Sequence, residues 1–306
     1  MFREYPEEQT ERELHVTVAE KVSLRILAWH PKGTPAPGDD RAPILLLHGL
    51  ASTAETWEPV AQRLAEAGHD VYAPDCRGHG LSDKPGDGYD LATYVTDTLK
   101  LVERLGVEQP VLVGHSLGAF VILEAFARNP GLGRLVRGVV LVEGALVGAS
   151  IQFASRGECL ARTALPPVTG TPGPRLEAYL RHGHPDWSEQ RIRGTMAGLE
   201  VLPDGTVEWW LTPTRREALA ASMWEQDSSA LQPAIDVPAL WVVADTGEAD
   251  WTAAKRAALT TIAGMPSARV TWLVADHDVQ AQRPDELAAA INEWLGDGVG
   301  GILPKG

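Results

Sequence analysis

The chain is short of cysteine, of basic residues and of long apolar runs, and each shortage removes a class of function. Only Cys76 and Cys159 occur in 306 residues. Two thiols so far apart build neither a disulfide framework nor a zinc-ligand set, and they suit a reducing compartment. Lys and Arg total 27 against 41 Asp and Glu, a net charge of −14. That balance repels phosphates and argues against a nucleic acid or an anionic membrane as partner. No stretch reaches the roughly 18 consecutive apolar residues of a membrane span. The opening MFREYPEEQT lacks the apolar centre of a secretory signal. The expectation is a soluble, cytoplasmic protein with no nucleic-acid or membrane partner.

What is present is ordinary globular composition, 44% hydrophobic and 22% charged. The length suits one large domain or a domain carrying an insertion. Two alternating stretches, ELHVTVAE (13–20) and VSLRILAWH (22–30), read as a hairpin. After a Pro/Gly/Asp loop, PILLLHG (43–49) reads as a strand buried on both faces. Strand and helix then take turns: helix from Trp57 to Ala67, strand 70–74, helix 90–106, strand 110–115, helix 117–129 and strand 137–144. The alternation resumes with strand 237–244, helix 252–263, strand 268–275 and helix 284–295. Such alternation implies an α/β fold, a mostly parallel, doubly wound sheet covered on both faces.

Between about 147 and 234 the alternation stops. This segment holds four of the ten tryptophans, Trp187, Trp209, Trp210 and Trp224. It reads as an inserted, mainly helical cap, dividing the chain into 1–146 (core, first part), 147–234 (cap) and 235–306 (core, second part, with a glycine-rich tail). The four tryptophans either line a substrate pocket or fill the cap's own small core. Both readings are open; on the first, these four are the substrate-binding candidates.

In VLVGHSLGAF (111–120) a strand runs into Gly114, His115, Ser116, Leu117 and Gly118 and then into a helix. Gly-x-Ser-x-Gly in that context is a nucleophile elbow: the glycines allow backbone to approach where a Cβ would clash, and the helix N-terminus faces the serine. Ser116 is the expected nucleophile. Leu117, just after it, and Leu50, in HGLASTAETW (48–57) after an earlier strand, are the expected oxyanion donors through their backbone N–H groups.

A serine hydroxyl needs a base. Of the nine histidines, His277 lies on the loop after the last strand, at the carboxyl edge where ligands gather. His115 adjoins the elbow but should point away from it by strand alternation. The acid that orients the base is open between Glu143, at the end of the strand after the elbow helix, and Asp250, past the penultimate strand. His182, His184 and Asp186 superficially match part of a metal motif. Trp187 stands where a further ligand would be needed, so no metal site is expected, and a loop whose Asp186 or Ser188 caps the next helix is the better account.

Taken together, LLLHGLASTAETW, DCRGHGLSDKP, VGHSLGA and DHDVQAQRPDELAAAINEWL resemble the α/β-hydrolase superfamily over about 1–146 and 235–306. The resemblance implies Ser116 as nucleophile, His277 as base, Leu50 and Leu117 as oxyanion donors, and a structural role for the loop Asp75–Ser82. Most members place an aspartate at what is here Thr246–Gly247, so Asp250 would need a longer loop. A branch that includes haloalkane dehalogenases and some lactone hydrolases places the acid after the preceding strand, as LVEGAL does. Glu143 is therefore the preferred acid and Asp250 the alternative. Dehalogenases and epoxide hydrolases need aspartate at the elbow, whereas Ser116 implies acyl transfer through an acyl-enzyme. The expected activity is cleavage of an ester or lactone of a hydrophobic small molecule, with water as second substrate and no cofactor. Carbon–carbon bond hydrolysis, cofactor-free perhydrolysis and a slowly hydrolysing receptor are the alternatives.

Overall fold

The computed structural model describes residues 11–32, 41–263, 265 and 267–299. The first ten residues, most of the Pro/Gly/Asp loop and the last seven residues of the tail lie outside them. In chain order the strands are β1 (Glu11–Ala19), β2 (Val22–Trp29), β3 (Ile44–Leu47), β4 (Val71–Pro74), β5 (Val111–His115), β6 (Gly138–Val142), β7 (Thr171–Pro172), β8 (Leu199–Val201), β9 (Thr206–Trp209), β10 (Ala239–Asp245) and β11 (Ala268–Val274).

Eight of them form one sheet in the order β1-β2-β4-β3-β5-β6-β10-β11. The pairs β1/β2 and β2/β4 are antiparallel, and every pair from β4 to β11 is parallel. The β1/β2 turn is closed by Lys21 at φ 60°. Strands β3 to β6 are buried at every residue. That explains their unbroken Val, Ile and Leu runs: both faces are covered, so no polar alternation survives.

The helices divide between the faces. Glu58–Glu66 and Pro284–Trp294 cover one, with Val60, Leu64, Leu287 and Ile291 in a common core with Ile44, Leu46, Val111 and Val113. Leu91–Leu105, Leu117–Arg128 and Ala249–Ile262 cover the other. Helix Leu91–Leu105 starts where the Asp90 side chain accepts the Thr93 N–H and stops at Gly106, φ 63°, a cap at each end. Burying each leucine of these stripes stabilises the fold by about 1.5–3 kcal/mol.

The segment between β6 and β10 contains short helices and a sheet the sequence reading did not anticipate, in the order β7-β9-β8. Strands of two to four residues are too short to establish a period of two. Buried polar anchors tie this segment to the core. Gln232 donates to the Ala145 and Leu146 carbonyls, Gln226 to Phe120 O and the Glu124 carboxylate, and Arg191 to Asp276 at 2.8 Å. Among the described residues no helix is long and apolar enough to cross a membrane.

Candidate active site

β5 ends at His115, and Ser116 turns the chain into helix Leu117–Arg128 at φ 50°, ψ −113°. A non-glycine residue holds that backbone only where its surroundings over-determine it. The surroundings are close: a Cβ on Gly114 would lie 2.4 Å from the Gly118 carbonyl carbon, and one on Gly118 2.4 Å from the Leu47 carbonyl oxygen. The Ser116 N–H donates to Val142 O at 3.1 Å, and its own carbonyl accepts from Ala119 and Phe120. Leu117 opens the helix, so its N–H has no intrahelical acceptor and stands at the positive end of the dipole.

The second expected donor, Leu50, sits in a turn held by two buried histidines. His48 Nδ1 lies 2.7 Å from Gly49 O, and its Nε2 accepts the Cys76 N–H at 2.9 Å. His79 Nδ1 lies 2.9 Å from Arg77 O, and its Nε2 accepts the Ala51 N–H at 3.2 Å. A carbonyl only accepts and an amide only donates, so both rings carry their proton on Nδ1 and are neutral. Burial pushes both pKa values down, that of His79 to about 3.

The Asp75–Ser82 loop is held by buried polar contacts. Asp75 accepts from the Ala54 and Leu81 amides and from Arg25. Arg77 grips Asp97 through two bonds of 2.7 and 2.9 Å, with both side chains buried. Breaking such a pair costs about 3–5 kcal/mol.

Ser116, Glu143 and His277 line one cavity of about 250 Å³. His277 follows β11 and is exposed. His115 is not among the residues lining the cavity, in keeping with strand alternation, but its ring centroid lies 4.9 Å from that of His277. His115 Nε2 donates to the His277 carbonyl at 2.8 Å, while Nδ1 accepts from the Gln280 amide at 3.2 Å. Burial, then the neighbouring His277, pushes His115 down to about 4. Sequence alternation missed this role because the loop carrying His277 folds back over the end of β5.

Glu143 follows β6 at φ 45°. Its Oε2 accepts the Ala244 N–H at 2.7 Å, its Oε1 pairs with Lys255 Nζ, and Lys255 also donates to Ala244 O at 2.8 Å. The preferred acid thus shares the cavity with the expected base, but its hydrogen-bond partners are Ala244 and Lys255 rather than His277. Lys255 had no sequence signal; it comes from the helix after β10. Asp250 lies in the first turn of that helix, and its side chain is outside the described residues.

The four tryptophans expected to bind substrate are elsewhere. Trp187 stacks on His184 at 3.9 Å and carries Arg191 over its ring. Trp209 donates to Pro166 O, Trp210 lies under Lys84, and Trp224 packs against the main core. None is among the residues lining the cavity, whose tryptophans are Trp241 and Trp251. β10 and the helix after it supply the cavity's tryptophans, while the inserted segment lines it with other residues, among them Phe153, Cys159 and Met223. Around the partial metal motif, His184 stacks on Trp187 and the Ser188 side chain accepts the Arg191 N–H as a helix cap; among the described residues no group of three or more His, Cys, Asp or Glu side chains is placed to hold a metal ion.

An eight-stranded, mostly parallel sheet with a serine elbow at the carboxyl end of a central strand defines a class of enzyme folds. The chain belongs to the alpha/beta hydrolase family, whose pattern residues 44–290 match. It is 41% identical over 100 residues to a 2-(acetamidomethylene)succinate hydrolase of Mesorhizobium japonicum, covering 33% of this chain and 34% of that protein. It is 35% identical over 118 residues to a non-heme haloperoxidase of Rhodococcus erythropolis, covering 39% and 42%. These matches thus span well under half of either relative. In three dimensions it is similar to an E-2-(acetamidomethylene)succinate hydrolase, with a TM-score of 0.71 at 26% identity over 94% of this chain and 99% of that one. An enol-lactonase of Burkholderia xenovorans shares the fold at a TM-score of 0.65 and 20% identity, covering 92% and 100%.

Proposed function

We propose that this alpha/beta hydrolase is a serine hydrolase that cleaves the ester or lactone bond of a hydrophobic small molecule through an acyl-enzyme. The observation that carries the reading is the strained Ser116 backbone at the wall of a largely apolar cavity that His277 and Glu143 also line. In this reading Ser116 Oγ attacks the carbonyl carbon and its proton passes to the His277 imidazole. The oxyanion takes the Leu117 and Leu50 amides, and His277 returns the proton to the leaving alkoxide. Water then repeats the sequence on the acyl-enzyme and releases the acid. Glu143 orients His277 and stabilises the imidazolium, which requires its carboxylate to share itself between Lys255 and the ring.

The test is labelling with a fluorophosphonate probe followed by peptide mapping. A covalent adduct on Ser116, lost in His277→Ala, supports the reading; an adduct-free Ser116 in folded protein overturns it. The resemblance to a non-heme haloperoxidase makes hydrogen peroxide the second nucleophile to assay, with a carboxylate as acyl source.

A further inference from the structure

Alongside the His277 imidazole, the cavity wall carries one acidic and one basic side chain, and these two neutralise each other. Glu143 and Lys255 are paired with 6% and 3% of their side chains exposed, and each makes a second bond, to the Ala244 N–H and the Ala244 carbonyl respectively. The remaining polar side chains of the wall, among them Gln152, Thr163 and Thr246, are uncharged. Trp241 also lines it, and its indole N–H has no acceptor among the described residues. Leu141, Val243, Phe120 and Met223 supply apolar surface.

A substrate carboxylate entering this space meets no free counter-charge. One ammonium between two carboxylates leaves a net negative charge in an apolar cavity, which is strongly disfavoured. Asp276 and Asp278 flank His277 and share the single cation Arg191, so the approach to the base is negative as well. A neutral oxygen, by contrast, can accept from a donor of the wall.

We propose that the Glu143–Lys255 pair makes this cavity selective for uncharged acyl substrates, and that a carboxylate on the acyl chain is the feature it rejects. This deepens the serine-hydrolase reading and separates the chain from its relative named for a succinate.

The experiment compares ethyl hexanoate, the same ester ending in a carboxamide, and the same ester ending in a carboxylate (monoethyl adipate). Binding is read from tryptophan fluorescence in Ser116→Ala, since Trp241 and Trp251 line the cavity. The carboxylate is expected to bind at least about tenfold more weakly than the isosteric carboxamide, and the plain ester most tightly. Equal or tighter binding of the carboxylate, or no binding of the two neutral esters, overturns the proposal. In Ser116→Ala/Glu143→Gln, Lys255 is left unpaired, and the carboxylate-to-carboxamide ratio should swing by at least about tenfold toward the carboxylate; an unchanged ratio in folded protein also overturns it. Turnover by the unmodified chain tests the hydrolase reading separately. If Ser116 takes no fluorophosphonate and neither neutral ester is cleaved, that reading fails whatever the binding order.

Discussion

The His115 imidazole donates from Nε2 to the carbonyl oxygen of His277 at 2.8 Å, joining the residue before the elbow to the loop of the expected base. Gln280, three residues beyond His277, donates to the other nitrogen of the same ring. His115 is thus a neutral strut that sets where the His277 backbone stands relative to Ser116.

Replacing that strut should loosen the base without removing it. His115→Leu is expected to lower kcat/KM for a neutral ester about tenfold or more, since small displacements of a catalytic group are costly. His115→Gln, which can still donate to the carbonyl, should recover part of the loss. Steady-state kinetics with circular dichroism as a fold control check this. A His115→Leu enzyme with unchanged kcat/KM would show that the strut plays no part in positioning.

The acid can be assigned by two separate substitutions. Glu143→Gln is expected to lower kcat by at least about 10²-fold, because the imidazolium loses its stabilising charge. It should also destabilise the fold by about 3–5 kcal/mol, since Lys255 is left as a buried unpaired cation. Asp250→Asn should leave both nearly unchanged. Denaturant titration alongside kinetics separates the two effects, and the reverse pattern would transfer the role to Asp250.

Gly118 tests the steric account of the elbow. A Cβ there would meet the Leu47 carbonyl oxygen at 2.4 Å and the Leu47 side chain at 2.8 Å. Backbone atoms in a central strand cannot move aside cheaply, so Gly118→Ala is expected to lose at least about 2 kcal/mol of stability. Gly106→Ala, where no atom lies within 4 Å, carries only the strain of φ 63° and should lose about 1 kcal/mol. Thermal melts of both variants give the comparison.

Acid should unfold the protein through its buried histidines. His115 and His79 have folded pKa values of about 4 and about 3 against 6.5 for a free ring. With a depressed folded value, the unfolded chain binds protons first as pH falls, so stability is complete above about pH 6.5 and is lost from there down to the folded values. Each contributes a slope of about 1.4 kcal/mol per pH unit across its window. Melting temperature followed from pH 7 to 4 should fall, and His115→Gln should fall less steeply.

The parts of this protein legible in the sequence are those governed by neighbours along the chain. The core alternation of strands and helices agrees with the observed elements to within a few residues, because burial on both faces writes unbroken apolar runs and amphipathic helices. The elbow is legible as a five-residue pattern: Gly114 is required by Gly118 within it, although Gly118 itself is required by Leu47 on the neighbouring strand. Contacts across the fold were not legible. Lys255 reaches Glu143 from 112 residues away, and His115 reaches His277 from 162. Composition alone could not tell that Trp187, Trp209, Trp210 and Trp224 serve packing and stacking while Trp241 and Trp251 face the cavity. Local sterics and periodicity act through bonds and so appear in sequence order; charge pairing and cavity shape act through space, and only the folded chain brings those residues together.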